Sequence, residues 1–74
     1  MLDPLNWVKI EGSLNEEWKA FDPVSHKTWR IGFTFKTTSI YYRDPDNEFW
    51  NLIYKWDSKD MKDRATQVAE LCRQ

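Results

Sequence analysis

The chain has few of the residues that usually brace a small protein. It contains one cysteine, Cys72, and one histidine, His26. A single cysteine excludes an internal disulfide, and the pair falls short of the four ligands of a structural zinc site. Two glycines, Gly12 and Gly32, exclude a glycine-rich phosphate loop. No apolar run approaches the ~20 residues of a membrane span. The opening Met1-Leu2-Asp3-Pro4-Leu5 has neither the basic region nor the apolar core of a signal peptide. Neither sign of charge dominates, with 11 basic residues against 12 acidic ones. Such a chain presents no strong overall field to nucleic acid or to a membrane. These absences predict a cytoplasmic protein with no membrane association, no metal and no cofactor.

Aromatic residues are plentiful: five Trp, four Phe and three Tyr among 74 residues. A single domain of this size buries only roughly 60% of its unfolded surface. Its core must therefore be packed from these rings or completed by a partner.

Apolar residues recur with period two over most of the chain. Trp29, Ile31, Phe33 and Phe35 alternate with Arg30, Gly32, Thr34 and Lys36, and Trp50, Leu52, Tyr54 and Trp56 alternate with Asn51, Ile53 and Lys55. This pattern marks antiparallel strands with one buried face. Strands are expected at about 6–11, 16–21, 28–35, 38–43 and 48–56. Asp22-Pro23-Val24-Ser25-His26-Lys27 reads as a hairpin loop that sets Ala20 against Trp29 and Trp18 against Ile31. Asp44-Pro45-Asp46-Asn47 reads as a second turn, with Asn47 left-handed. Its preferred register pairs Tyr42 with Trp50, Ile40 with Leu52 and Thr38 with Tyr54. Around Lys36 and Thr37 no turn residue is present. Strands three and four are either one bent strand or a tight hairpin pairing Phe33 with Ile40.

The period then changes. Met61, Ala65, Val68 and Cys72 form a helical stripe, and a helix is expected over about 59–73 with Asp57 as its N-cap. The fold class is α+β: a four- to five-stranded antiparallel meander with one C-terminal helix packed on one face, in a single domain over 1–74. In element order alone this broadly resembles the arm-type DNA-binding domains of phage integrases and several single-strand-binding folds.

Strand parity assigns the two faces of the sheet. The buried face collects Val8, Ile10, Trp18, Ala20, Trp29, Ile31, Phe33, Phe35, Ile40, Tyr42, Trp50, Leu52, Tyr54 and Trp56. The opposite face is the candidate binding surface and carries Trp7, Lys9, Lys19, Phe21, Arg30, Lys36, Tyr41, Arg43, Phe49 and Lys55. One helix of fifteen residues covers about 220 Å², against roughly 600 Å² for five strands. Aromatic surface is therefore left for a partner unless the sheet curls.

No catalytic set stands out. His26 sits in a loop beside Ser25, Cys72 belongs to the helix stripe, and Asp44, Asp46 and Glu48 lack the glycine and distal glutamate of a calcium loop. A chain of this size beginning at Met1 is expected to be a stand-alone, non-enzymatic protein-interaction module, a small regulator or inhibitor that binds a protein partner through aromatic surface. A homodimer is a further expectation. The alternative is a single-stranded DNA- or RNA-binding protein that uses the basic-aromatic face.

Overall fold

Alternation and turn chemistry produce five strands in chain order: β1 (Val8–Lys9), β2 (Glu17–Phe21), β3 (Thr28–Phe33), β4 (Thr38–Arg43) and β5 (Asn51–Trp56). One helix follows, α1 (Lys62–Arg73). The computed structural model describes residues 3–12 and 16–73. The strands form an antiparallel meander in the order β1-β2-β3-β4-β5, and α1 lies over β3 and β4. This is the α+β architecture that the sequence predicts.

The β2–β3 hairpin has the expected register, Ala20 opposite Trp29 and Trp18 opposite Ile31. Its turn is organised by Asp22. The buried carboxylate accepts hydrogen bonds from the Val24 amide (3.0 Å) and the Ser25 hydroxyl (2.9 Å). His26 completes the turn at a φ of 65°.

β3 and β4 are separate strands that pair Phe33 with Thr38 and Ile31 with Ile40. The turn between them uses threonine in place of glycine or proline. Thr37 N donates to Thr34 Oγ1 (3.0 Å), the two hydroxyls lie 2.6 Å apart, and Thr34 N donates to Thr37 O (2.9 Å). β3 thus stops at Phe33, and Phe35, expected in the buried face, is 83% exposed in the turn.

β5 departs from the expected register. Thr38 pairs with Trp56 and Ile40 with Tyr54, while Tyr41 pairs with Leu52 and Tyr42 with Asn51. A bulge takes up Ile53 between them and reverses the parity of the residues before it. The cause is a longer loop. Asn47 N donates to Asp44 O (3.1 Å) and Asn47 Oδ1 accepts from Phe49 N (2.9 Å), which holds residues 44–50 outside the ladder. Asn47 is not left-handed, because its carboxamide closes the loop instead; among described non-glycine residues the positive φ belongs to His26.

β1 is also reversed. Val8 stands opposite Lys19 and Lys9 opposite Trp18. The preceding segment decides this. Leu5 is buried, and its amide donates to Glu70 Oε1 on α1 (2.7 Å). Sinking Leu5 beside the helix puts Trp7 on the same side, where it packs against the core.

The core lies between sheet and helix and contains Leu5, Ala20, Trp29, Ile31, Ile40, Ala65 and Ala69. Two alanines one helical turn apart let α1 approach closely. Cys72, expected in the stripe, is exposed, and Ala69 takes the inward position. The helix starts three residues later than expected, and Asp57 is not its cap. Ala65 N donates to Met61 O (2.9 Å), so Met61 is the capping residue. After the edge strand β5 the chain must cross back toward the centre of the sheet. Thr38, fully buried on β4, holds that crossing: its hydroxyl donates to Ser58 O (2.6 Å) and accepts from Met61 N (3.4 Å).

Arg73 closes the far end of the helix. It donates to Asp22 Oδ2 (3.2 Å), Glu70 Oε2 (2.8 Å) and Asp3 O (2.8 Å). Burial pushes the Asp22 carboxyl up. The hydrogen bonds from Val24, Arg73 and Ser25, with the charge of Arg73, outweigh that and hold it below the usual carboxylate value.

Candidate sheet-face binding surface

The face of the sheet away from α1 is built by the residues that strand pairing leaves outside the core. Direct cross-strand neighbours share a face. One row crosses all five strands: Val8, Lys19, Arg30, Tyr41 and Leu52. Phe21, Thr28 and Arg43 form a row on one side of it, and Glu17, Gly32, Ser39 and Lys55 a row on the other. No element among the described residues lies over this face. Val8, Phe21 and Leu52 are each more than half exposed.

Trp50 joins this face from the end of the β4–β5 loop. Its ring centroid lies 5.6 Å from the Arg30 guanidinium carbon and 5.1 Å from that of Arg43. Arg30 also bonds Glu17 (2.6 Å). Arg30 and Trp50 form a ridge between two concavities. One, of about 330 Å³, is lined by Glu17, Gly32, Ser39 and Tyr41; the other, of about 820 Å³, by Val8, Lys19, Phe21 and Arg43. The face thus holds four cations, Lys19, Arg30, Arg43 and Lys55, against one carboxylate, in a chain whose formal net charge is −1. Among the described residues, Lys19, Arg43 and Lys55 have no ion-pair partner. The Lys19–Arg30 pairing places like charges directly across two strands, which is mildly destabilising.

Six of the ten residues expected on this surface are brought together here: Lys19, Phe21, Arg30, Tyr41, Arg43 and Lys55. Trp7 and Lys9 lie on the helix side, through the reversed parity of β1. Lys36 stands in the β3–β4 turn, 5.5 Å from the Phe35 ring centroid, and Phe49 is exposed in the β4–β5 loop. Trp50, Leu52, Val8 and Ile10 were expected inside and are found at this face or lining its concavities. Asn51 and Ile53, outward by simple alternation, turn inward through the bulge. The signal for Trp50 lay in the run Asp44–Phe49, which is too long for a three-residue hairpin loop.

The other reactive residues have local partners. Ser25 donates to Asp22 and not to His26, whose ring meets Phe21 edge-on at 6.1 Å. Among the described residues no three carboxylate, histidine or cysteine side chains cluster as metal ligands, and no helix is long and apolar enough to cross a membrane. Comparison with protein-family models, with curated proteins and with solved structures found no match to this chain.

Proposed function

We propose that the protein is a non-enzymatic interaction module that receives a protein partner on the uncovered face of its sheet and regulates or inhibits that partner by occupying it. The observation that carries this reading is Trp50, held beside Arg30 and Arg43 between two concavities. Tryptophan, tyrosine and arginine dominate the energetic centres of protein interfaces, where they fill pockets and exclude water. The aliphatic residues Val8 and Leu52 at the margins support a protein rather than a nucleic acid, since they offer no π-face for a base.

Single-stranded nucleic acid is the second reading. It is favoured by the same cations beside Tyr41 and Trp50, the combination that lets bases stack while phosphates are neutralised. A photo-crosslinking residue at position 41, used in extract of the cells that make the protein, separates the two. A protein adduct that survives nuclease and disappears in Trp50→Ala supports the first reading. Nuclease-sensitive adducts, together with oligonucleotide affinity falling steeply with salt, overturn it.

A further inference from the structure

The central row of the uncovered face has a spacing that restricts what lies on it. Val8, Lys19, Arg30, Tyr41 and Leu52 occupy successive strands. Strands stand ~4.8 Å apart, so the row is about 19 Å long, with its two cations at ~5 and ~10 Å from the Val8 end. An extended peptide presents one face every ~6.7 Å and falls out of step with this row. A helix laid along it presents positions i, i+3, i+7, i+10 and i+14 at about 0, 4.5, 10.5, 15 and 21 Å. These match the five strands within ~2 Å, and they also lie on one helical face.

Resting on the protein-partner reading, we propose that the occupant is an acidic amphipathic helix of the partner, laid across the strands. Apolar residues at i and i+14 meet Val8 and Leu52, and carboxylates at i+3 and i+7 meet Lys19 and Arg30. Charge selects this occupant. The Lys19–Arg30 pair is relieved by anions, and Glu17 is the only carboxylate in the three rows and is already bonded to Arg30. A second copy of this chain placed face to face would set the same cations against one another across a two-fold axis. The acids Asp46, Glu48, Asp57, Asp60 and Asp63 are exposed and lie outside the three rows, so they do not offset the cations within them.

Phage display of an eighteen-residue helical library on the purified protein tests this. Selected sequences are expected to carry Asp or Glu at i+3 and i+7 between apolar residues. Their affinity is expected to fall at least about tenfold for Arg30→Glu, and likewise for Lys19→Glu, whose exposed side chain makes its folding safe. Lysine in place of the two acids should restore binding to the charge-reversed proteins. Selected helices that bind this face without acidic residues, or that ignore both substitutions, overturn the acidic helix and leave the protein-partner reading standing. Selected helices that bind elsewhere, with oligothymidylate taking this face, overturn both.

Discussion

Lys19 and Arg30 are direct cross-strand neighbours on the uncovered face, yet among the described residues only Arg30 has a carboxylate partner, Glu17 at 2.6 Å. A folded chain gains nothing from this pairing by itself. Opposed like charges cost roughly 0.2–1 kcal/mol relative to a neutral pair. Lys19→Gln is therefore expected to raise stability by a few tenths of a kcal/mol, up to ~1, while weakening partner binding. Urea midpoints at low salt check the first half. An unchanged or lower midpoint would place the two charges farther apart in solution than strand pairing implies.

The close approach of α1 depends on Ala65 and Ala69, both fully buried. Ala69→Leu adds three carbons where the core has no room and is expected to cost about 1–3 kcal/mol. Cys72 is exposed on the same helix, so Cys72→Ser should stay within ~0.5 kcal/mol of wild type. Thermal melts of both variants check this. The reverse order would mean that the helix docks by the face expected from simple periodicity.

The Asp22–Arg73 pair ties the β2–β3 turn to the end of the helix, with both side chains almost fully buried. Asp22 is held below its ordinary value in the folded protein. Its contribution is therefore complete above the unfolded carboxylate value near ~4 and is lost as pH falls through the lowered folded value. Asp22→Asn leaves Arg73 buried without that partner and is expected to cost about 3–5 kcal/mol at neutral pH. Denaturant titrations from pH 7 to pH 2 should show wild type and Asp22→Asn converging at the acid end. Parallel curves across the range would contradict the linkage.

Thr38 serves the crossing into the helix through one hydroxyl, which bonds both Ser58 O and Met61 N. Thr38→Val keeps the shape and removes both bonds, at an expected cost of about 1–3 kcal/mol. Amide exchange should accelerate at Met61 and the first turn of α1 before it does in β3. Uniform acceleration throughout the chain would mean that Thr38 supports the sheet instead.

The middle of the fold is readable because its signals are local. Pro23 and the alternation of β2 and β3 specify one register, and the inner and outer residues of that hairpin follow. Each departure comes from a long-range or irregular feature. β1 takes its parity from Leu5 bonding to Glu70, 65 positions away. β5 takes its parity from a bulge at Ile53 that alternation conceals. The helix start is set by Thr38, which no capping pattern reveals. These same features move Trp7 and Lys9 off the candidate surface and bring Trp50, Val8 and Leu52 onto it. The candidate surface is thus half legible in the sequence: its cations follow simple alternation, and its apolar margins and central tryptophan do not.

The central claim is that partners meet the face carrying Trp50 and not the helix side. Five tryptophan indole N–H groups provide five reporters, and Trp7, Trp18 and Trp29 belong to the other side of the sheet. An acidic helical peptide from the display selection, titrated into ¹⁵N-labelled protein, should shift the Trp50 indole signal first and leave Trp18 and Trp29 in place. A shift confined to Trp7 and Trp18, with Trp50 unmoved, would contradict the account.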